Sequence, residues 1–222
     1  MACYDVPMEC LRTEWVLIDG APSSGKTTVI QALHRAGYRI IPEVGRAYIE
    51  LELARGRMLG DIRGNEEYFQ RALIALYTEQ FQRLNPRQSV ILDGGFPHAQ
   101  AYIDLNRTPN MPDVLALCRP FHFKKVFLCD PLPFEDDHVR TEDATKATFL
   151  DRRIGEIYQE LGYDPLRIPV MTVEERAAYV LQNLPSAEAH RIHMPALAAV
   201  LPKFPLPLGE GRVRGMFWNR LP

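Results

Sequence analysis

Eight consecutive residues, GAPSSGKT from Gly20 to Thr27, carry the clearest chemistry in the chain. They fit G-x-x-x-x-G-K-[ST] in full. Gly20 and Gly25 permit backbone angles that a side chain would block. Between them, Ala21, Pro22, Ser23 and Ser24 form a short loop whose N–H groups can turn inward and cradle phosphate oxygens. The N-terminus of a following helix adds positive potential. Lys26 would reach the β- and γ-phosphates, and the Thr27 hydroxyl would ligate magnesium. Thr28 reads either as ordinary helix or as a contact to an α-phosphate. The expected ligand is therefore a nucleoside triphosphate with Mg2+. A glycine-rich turn with an incidental lysine is the competing reading, and context decides between them, because the loop needs a strand before it and a helix after it.

Other charged residues stand where such a loop would use them. Asp93 ends the apolar run VILD, the position of a carboxylate that holds magnesium directly or through water. It also precedes a helix and could serve as its N-cap. Glu43 ends a second strand, where it could bind an acceptor or take the proton of its attacking hydroxyl. Arg46 lies one helical turn on, able to contact an anionic group or to pair with Glu43. For both, a surface ion pair at a helix start is the alternative. Arg140, Arg152 and Arg153 lie in a charged stretch and are candidates for a lid over the transferring phosphate, in a region of about 131–153. The alternative there is a solvated helix laced with i,i+4 pairs.

Alternating elements must position these groups. Strands are predicted at 15–19, 38–43, 89–93, 125–129 and 167–171. Helices are predicted over 27–36, 45–56, from an Asn65 cap to about 84, after Gly95, over 142–161, and over 172–184 with a Thr172/Glu175 capping box. This order gives β-α-β units, hence an α/β fold of three layers: a parallel sheet of about five strands with helices on both faces. Ligands in such a sheet bind beyond the carboxyl ends of the strands, where Asp19, Glu43, Asp93 and Asp130 fall. Residues 1–184 read as one domain and 185–222 as a Pro/Gly-rich tail.

Composition narrows the function. With 222 residues, 46% of them hydrophobic, the chain can build one sizeable core. A net charge of −2 argues against a general nucleic-acid binder, which needs surplus Lys and Arg. No G-x-G-x-x-G is present, which argues against a nicotinamide cofactor on this loop. The four cysteines form no C-x-x-C pair, and no apolar run approaches a membrane span. A cytoplasmic, reduced setting is the expectation.

The segments GAPSSGKTT, IIPEVGRAYIE, VILDGGFPHAQAYIDL and the long run from KKVFLCDPLPFEDDHVR to RIPV appear in that order. The P-E-x-x-R element and L-P-x-x-x-D-D-x-x-R-x-E are its more specific parts. Over about residues 14–184 the chain resembles the AAA-type ATPase-like P-loop family that includes the ribosylnicotinamide-kinase domain of NadR proteins. The resemblance implies a P-loop NTPase fold, ATP with magnesium, and transfer to a small, nucleoside-like acceptor. It implies nucleotide binding for Gly25, Lys26 and Thr27, the substrate side for Glu43 and Arg46, the metal for Asp93 and the lid for Arg140. Members often carry Asp-Arg after the third strand, whereas Gly94 follows Asp93 here. Two functions follow: a small-molecule kinase, or a regulatory NTPase whose output is contact with a protein partner or a second copy.

Overall fold

The structure, a computed structural model, describes residues 10–132 and 144–184. Its first half runs β1 (Leu11–Arg12), β2 (Trp15–Asp19), α1 (Lys26–Arg35), β3 (Ile40–Ile41), α2 (Val44–Ala54), α3 (Leu59–Arg63) and α4 (Glu66–Arg83). Its second half runs β4 (Val90–Asp93), α5 (Phe96–Asn106), α6 (Val114–Cys118), β5 (Phe121–His122), β6 (Lys125–Cys129), α7 (Ala144–Glu160), β7 (Leu166–Ile168) and α8 (Val173–Gln182). The main sheet is fully parallel, in the order β3-β4-β2-β6-β7.

The central strand β2 is buried on both faces, as the unbroken apolar run WVLID requires. Its side chains alternate. Trp15 and Leu17 pack toward a core made with α4, α5 and α7, which includes Phe69, Phe81, Phe96 and Ile154. Val16 and Ile18 pack toward a second core with Val29 and Leu33 of α1 and Val180 of α8. The expected three layers are present. Cys118 and Cys129 are buried in these cores, and burial pushes their thiols up to about 12 and about 11, which suits packing rather than reactivity.

Predicted helix starts agree with the caps. Asn65 accepts from Tyr68 N at 2.9 Å, and Thr172 and Glu175 form a reciprocal capping box. Two strands are shorter than expected. β3 stops at Ile41 because Pro42 lacks an N–H, and β7 stops at Ile168 ahead of Pro169. The short pair β1–β5 and the short helices α3 and α6 carry no periodic signal and escaped prediction. The predicted tail, 185–222, lies outside the described residues. No described helix is long and apolar enough to cross a membrane.

Candidate active site

The loop from Gly20 to Gly25 joins β2 directly to α1. Gly25 is the N-cap with φ 72°, and Ser23 also takes a positive φ of 68°, which is rare outside glycine. Strain of this kind gathers where a backbone must wrap a ligand. A side chain at Gly25 would meet Arg176 Nη1 at 2.8 Å and Leu132 Cδ1 at 2.9 Å, so Gly25 is demanded by space as well as by angle. Over the loop lies a cavity of about 350 Å³, lined by residues 21–28 and by Glu43, Arg46, His98 and Tyr102. It opens on the N-terminus of α1, whose dipole favours anions.

Lys26 is buried beneath this cavity, with Nζ 3.5 Å from Asp93 Oδ1. Their closeness follows from the sheet, because β2 and β4 are hydrogen-bonded neighbours with Ile18 in register with Asp93. Burial alone would lower the lysine pKa. The carboxylates of Glu43, Asp93 and Asp19 outweigh it and hold the ammonium well above its ordinary range. Glu43 is shifted down, chiefly by Lys26 and against its own burial, and so stays ionised. Asp93 is shifted up by burial, which Lys26 only partly offsets. Its buried Oδ1 accepts no hydrogen bond. Asp93 is not the cap of α5: Gly95 holds that position, and no side chain bonds there.

The sequence marks Asp19 only as a strand end, and the structure gives it much more. It is fully buried. Its Oδ1 accepts from Gly20 N at 2.8 Å and lies 2.9 Å from His98 Nδ1, and its Oδ2 accepts from Tyr158 OH at 2.9 Å. Burial opposes its charge, but His98, Lys26 and the Gly20 amide together leave its pKa below the usual value. Arg176 is a second omission. It is buried, and its Nη1 donates to Ser24 O at 2.7 Å, bracing the loop from α8. The same signal that marked Asp93, a carboxylate closing an apolar strand, also marks Asp19. Nothing local marks Arg176.

A second cavity of about 370 Å³ adjoins the first. It is lined by Phe69, Leu73, Tyr77 and Ile49 with Glu43, Arg46, Arg63, Gln70 and His98 among its polar members. Glu43, Arg46, His98 and Tyr102 line both cavities. Arg63 stacks over the Phe69 ring at 4.6 Å. Gln70 is buried, and its Nε2 donates to Glu66 Oε1 at 2.8 Å. A carboxylate can only accept, which fixes the amide orientation and leaves Gln70 Oε1 as an acceptor without a partner.

The structure brings Gly20 to Thr27, Glu43, Arg46 and Asp93 together. Thr28 borders the same cavity, but its hydroxyl donates back to Gly25 O at 2.7 Å. Arg152 and Arg153 are not brought there and line neither cavity. Arg153 is 2.6 Å from both Asp104 and Glu160, and Arg152 pairs with Glu156 one turn on. The alternative reading, a helix laced by ion pairs, describes them, because each guanidinium has carboxylates within reach on α5 or α7. Arg140 lies outside the described residues.

The donor set suits a hard divalent cation. The buried Asp93 Oδ1, ion-paired to Lys26 but accepting no hydrogen bond, and the hydroxyl of half-buried Thr27 are oxygen ligands of the kind magnesium takes alongside phosphate and water. Three carboxylates around one lysine also leave the site short of positive charge. Among the described residues no cluster of three or more His, Cys, Asp or Glu side chains forms a self-contained metal cage.

A family model described as "AAA domain" matches residues 15–176. Among solved structures, the chain is similar to a NadR protein in complex with NR, with 14% identity and a TM-score of 0.55. That match covers 78% of this chain and 51% of the other, so the chain spans about half that protein's length. It is similar to deoxyadenosine kinase from M. mycoides, with products dCMP and a flexible dCDP bound (14% identity, TM-score 0.55, 77% of this chain and 98% of that one). It is also similar to thymidylate kinase from Candida albicans (14%, TM-score 0.51, 81% and 94%). No curated protein matches the sequence. At these identities the likeness is one of fold, and the fold is that of P-loop kinases.

Proposed function

The chain belongs to the AAA domain family, and from that premise we propose that it is a kinase. It moves the γ-phosphoryl group of ATP to a hydroxyl of a small, ring-bearing, nucleoside-like acceptor. One observation carries the reading: a phosphate cavity and a mostly apolar cavity meet along a wall of Glu43, Arg46, His98 and Tyr102. A phosphoryl group bound in the first would face a molecule bound in the second.

The roles follow from the environments. The loop amides from Ala21 to Thr27 hold the phosphates, and Lys26 neutralises the β- and γ-oxygens. Thr27 and Asp93 would hold magnesium, which supplies charge neutralisation on the same oxygens. Glu43 orients the acceptor hydroxyl. With its pKa held down by Lys26 it is a weak base, and a loose transition state asks for positioning more than for proton abstraction. Arg46 meets an anionic part of either substrate. Phe69 and Tyr77 receive an apolar or aromatic ring, and Gln70 Oε1 accepts from an N–H or O–H on it. Arg140 is the proposed lid cation.

The test is to incubate the purified chain with γ-labelled ATP, magnesium and a pool of nucleosides and other small hydroxyl compounds. Label is expected on an organic acceptor. Label found only in inorganic phosphate would favour the regulatory NTPase, a reading supported by Gly94, which offers no side chain beside Asp93.

A further inference from the structure

His98 lies in the first turn of α5, and its ring borders both cavities. Its Nδ1 sits 2.9 Å from Asp19 Oδ1. Asp19 is itself immobilised, with Gly20 N donating to Oδ1 and Tyr158 OH donating to Oδ2. An ionised carboxylate can only accept, so Nδ1 must carry the hydrogen. The two ring nitrogens face different sides of the imidazole, and Nε2 is therefore turned away from Asp19. The side chain is 12% exposed, so the ring is not sealed in the core.

The charge around it has a clear sense. Among the described residues, the cations Lys26 and Arg46 border the nucleotide cavity beside His98, against the carboxylates of Glu43 and, beneath, Asp19 and Asp93. A phosphoryl group crossing the shared wall spreads negative charge over its own oxygens, away from the deeper Lys26–Asp93 pair. A donor is needed at the wall.

We propose that His98 is a further catalytic residue: anchored through its Nδ1–H on Asp19, it gives an Nε2–H to the oxygens of the phosphoryl group in flight. The proposal rests on the phosphoryl-transfer reading. In the step, a bond forms between the acceptor oxygen and phosphorus, and the bond from phosphorus to the bridging oxygen of the nucleoside diphosphate breaks. The acceptor proton leaves to solvent past Glu43, and His98 keeps its proton throughout.

His98→Asn retains a donor to Asp19 in place of Nδ1 and has nothing in place of Nε2. It is expected to lower kcat by about 10²–10³-fold, the effect of removing one transition-state donor. The nucleotide KM should stay within about threefold. His98→Gln, which puts a neutral N–H near Nε2, should recover part of the loss. A second readout needs no acceptor: ADP with magnesium and aluminium fluoride, a mimic of the phosphoryl in flight. His98→Asn should bind it about 10²-fold more weakly while binding ADP alone as wild type does. Full kcat in His98→Asn, or equal weakening of ADP and its fluoride complex, overturns the proposal. A wild-type protein that labels no acceptor overturns the kinase reading instead, and the fluoride comparison still decides His98.

Discussion

The cavity over the loop and the cavity beside it share a wall and are made of different material. The first is built mainly on one loop, since most of its lining comes from the contiguous residues 21–28, shaped by positive φ angles and the start of α1. The second is almost all side chain, and α2, α4 and α5 each contribute, with Arg63 from α3. A backbone site recognises what every triphosphate has in common. A side-chain site is free to vary with each substitution, so on the kinase reading proposed above the choice of acceptor would be set there.

That contrast can be broken from either side. Lys26→Met should have the largest effect, a loss of about 10³-fold in kcat/KM measured by steady-state transfer, with the fold retained by circular dichroism. Glu43→Gln comes next, about 10²-fold in kcat, with ATP affinity by calorimetry within about threefold of wild type. If Glu43→Gln transfers at the full rate, the shared wall does not orient the acceptor. Gln70→Leu should act on one cavity alone, raising the acceptor KM about tenfold and leaving the nucleotide KM unchanged. A matching loss of nucleotide affinity would mean that the two cavities are not separate devices.

The smallest expected effect is on stability. Because the folded pKa of Asp93 is raised, the native state holds more protons than the unfolded one between the ordinary carboxylate pKa and that raised value. Stability from this group therefore falls as pH rises through the window and stays lower above it. Metal-free Asp93→Asn should melt about 2–4 °C higher than wild type at neutral pH, and the gain should shrink as pH falls through the window. Asp19→Asn has the opposite sign: its depressed pKa supports the fold above the carboxylate range and gives that support up only as pH falls through the lower value.

The same division runs through what could be read from the chain. Residues 15–36 announce a strand, a loop and a helix because each is encoded by neighbours in sequence. The caps at Asn65 and Thr172 were legible for the same reason. Arg152 and Arg153 do not reach the cavities, and the sequence could not show it, because a charge-rich helix looks alike whether its cations face a phosphate or carboxylates on their own and the neighbouring helix. Asp19 was half legible: its strand end was recognised, but its bonds to His98 and Tyr158 span 79 and 139 residues. The Arg176 brace on Ser24 spans 152 and leaves no local trace.

By itself, the sequence determined that this chain builds a G-x-x-x-x-G-K-[ST] turn between an apolar strand and a helix within a parallel α/β sheet. Those features depend on backbone angles, short-range periodicity and capping, all of which local residue types control. Only the tertiary structure decided that β4 lies beside β2, placing Asp93 against Lys26. It also decided that Asp19 fastens His98 at the wall, and that helices far apart in sequence close a second cavity there. Sheet order and helix packing minimise exposed apolar area over the whole chain, and no short stretch contains that information.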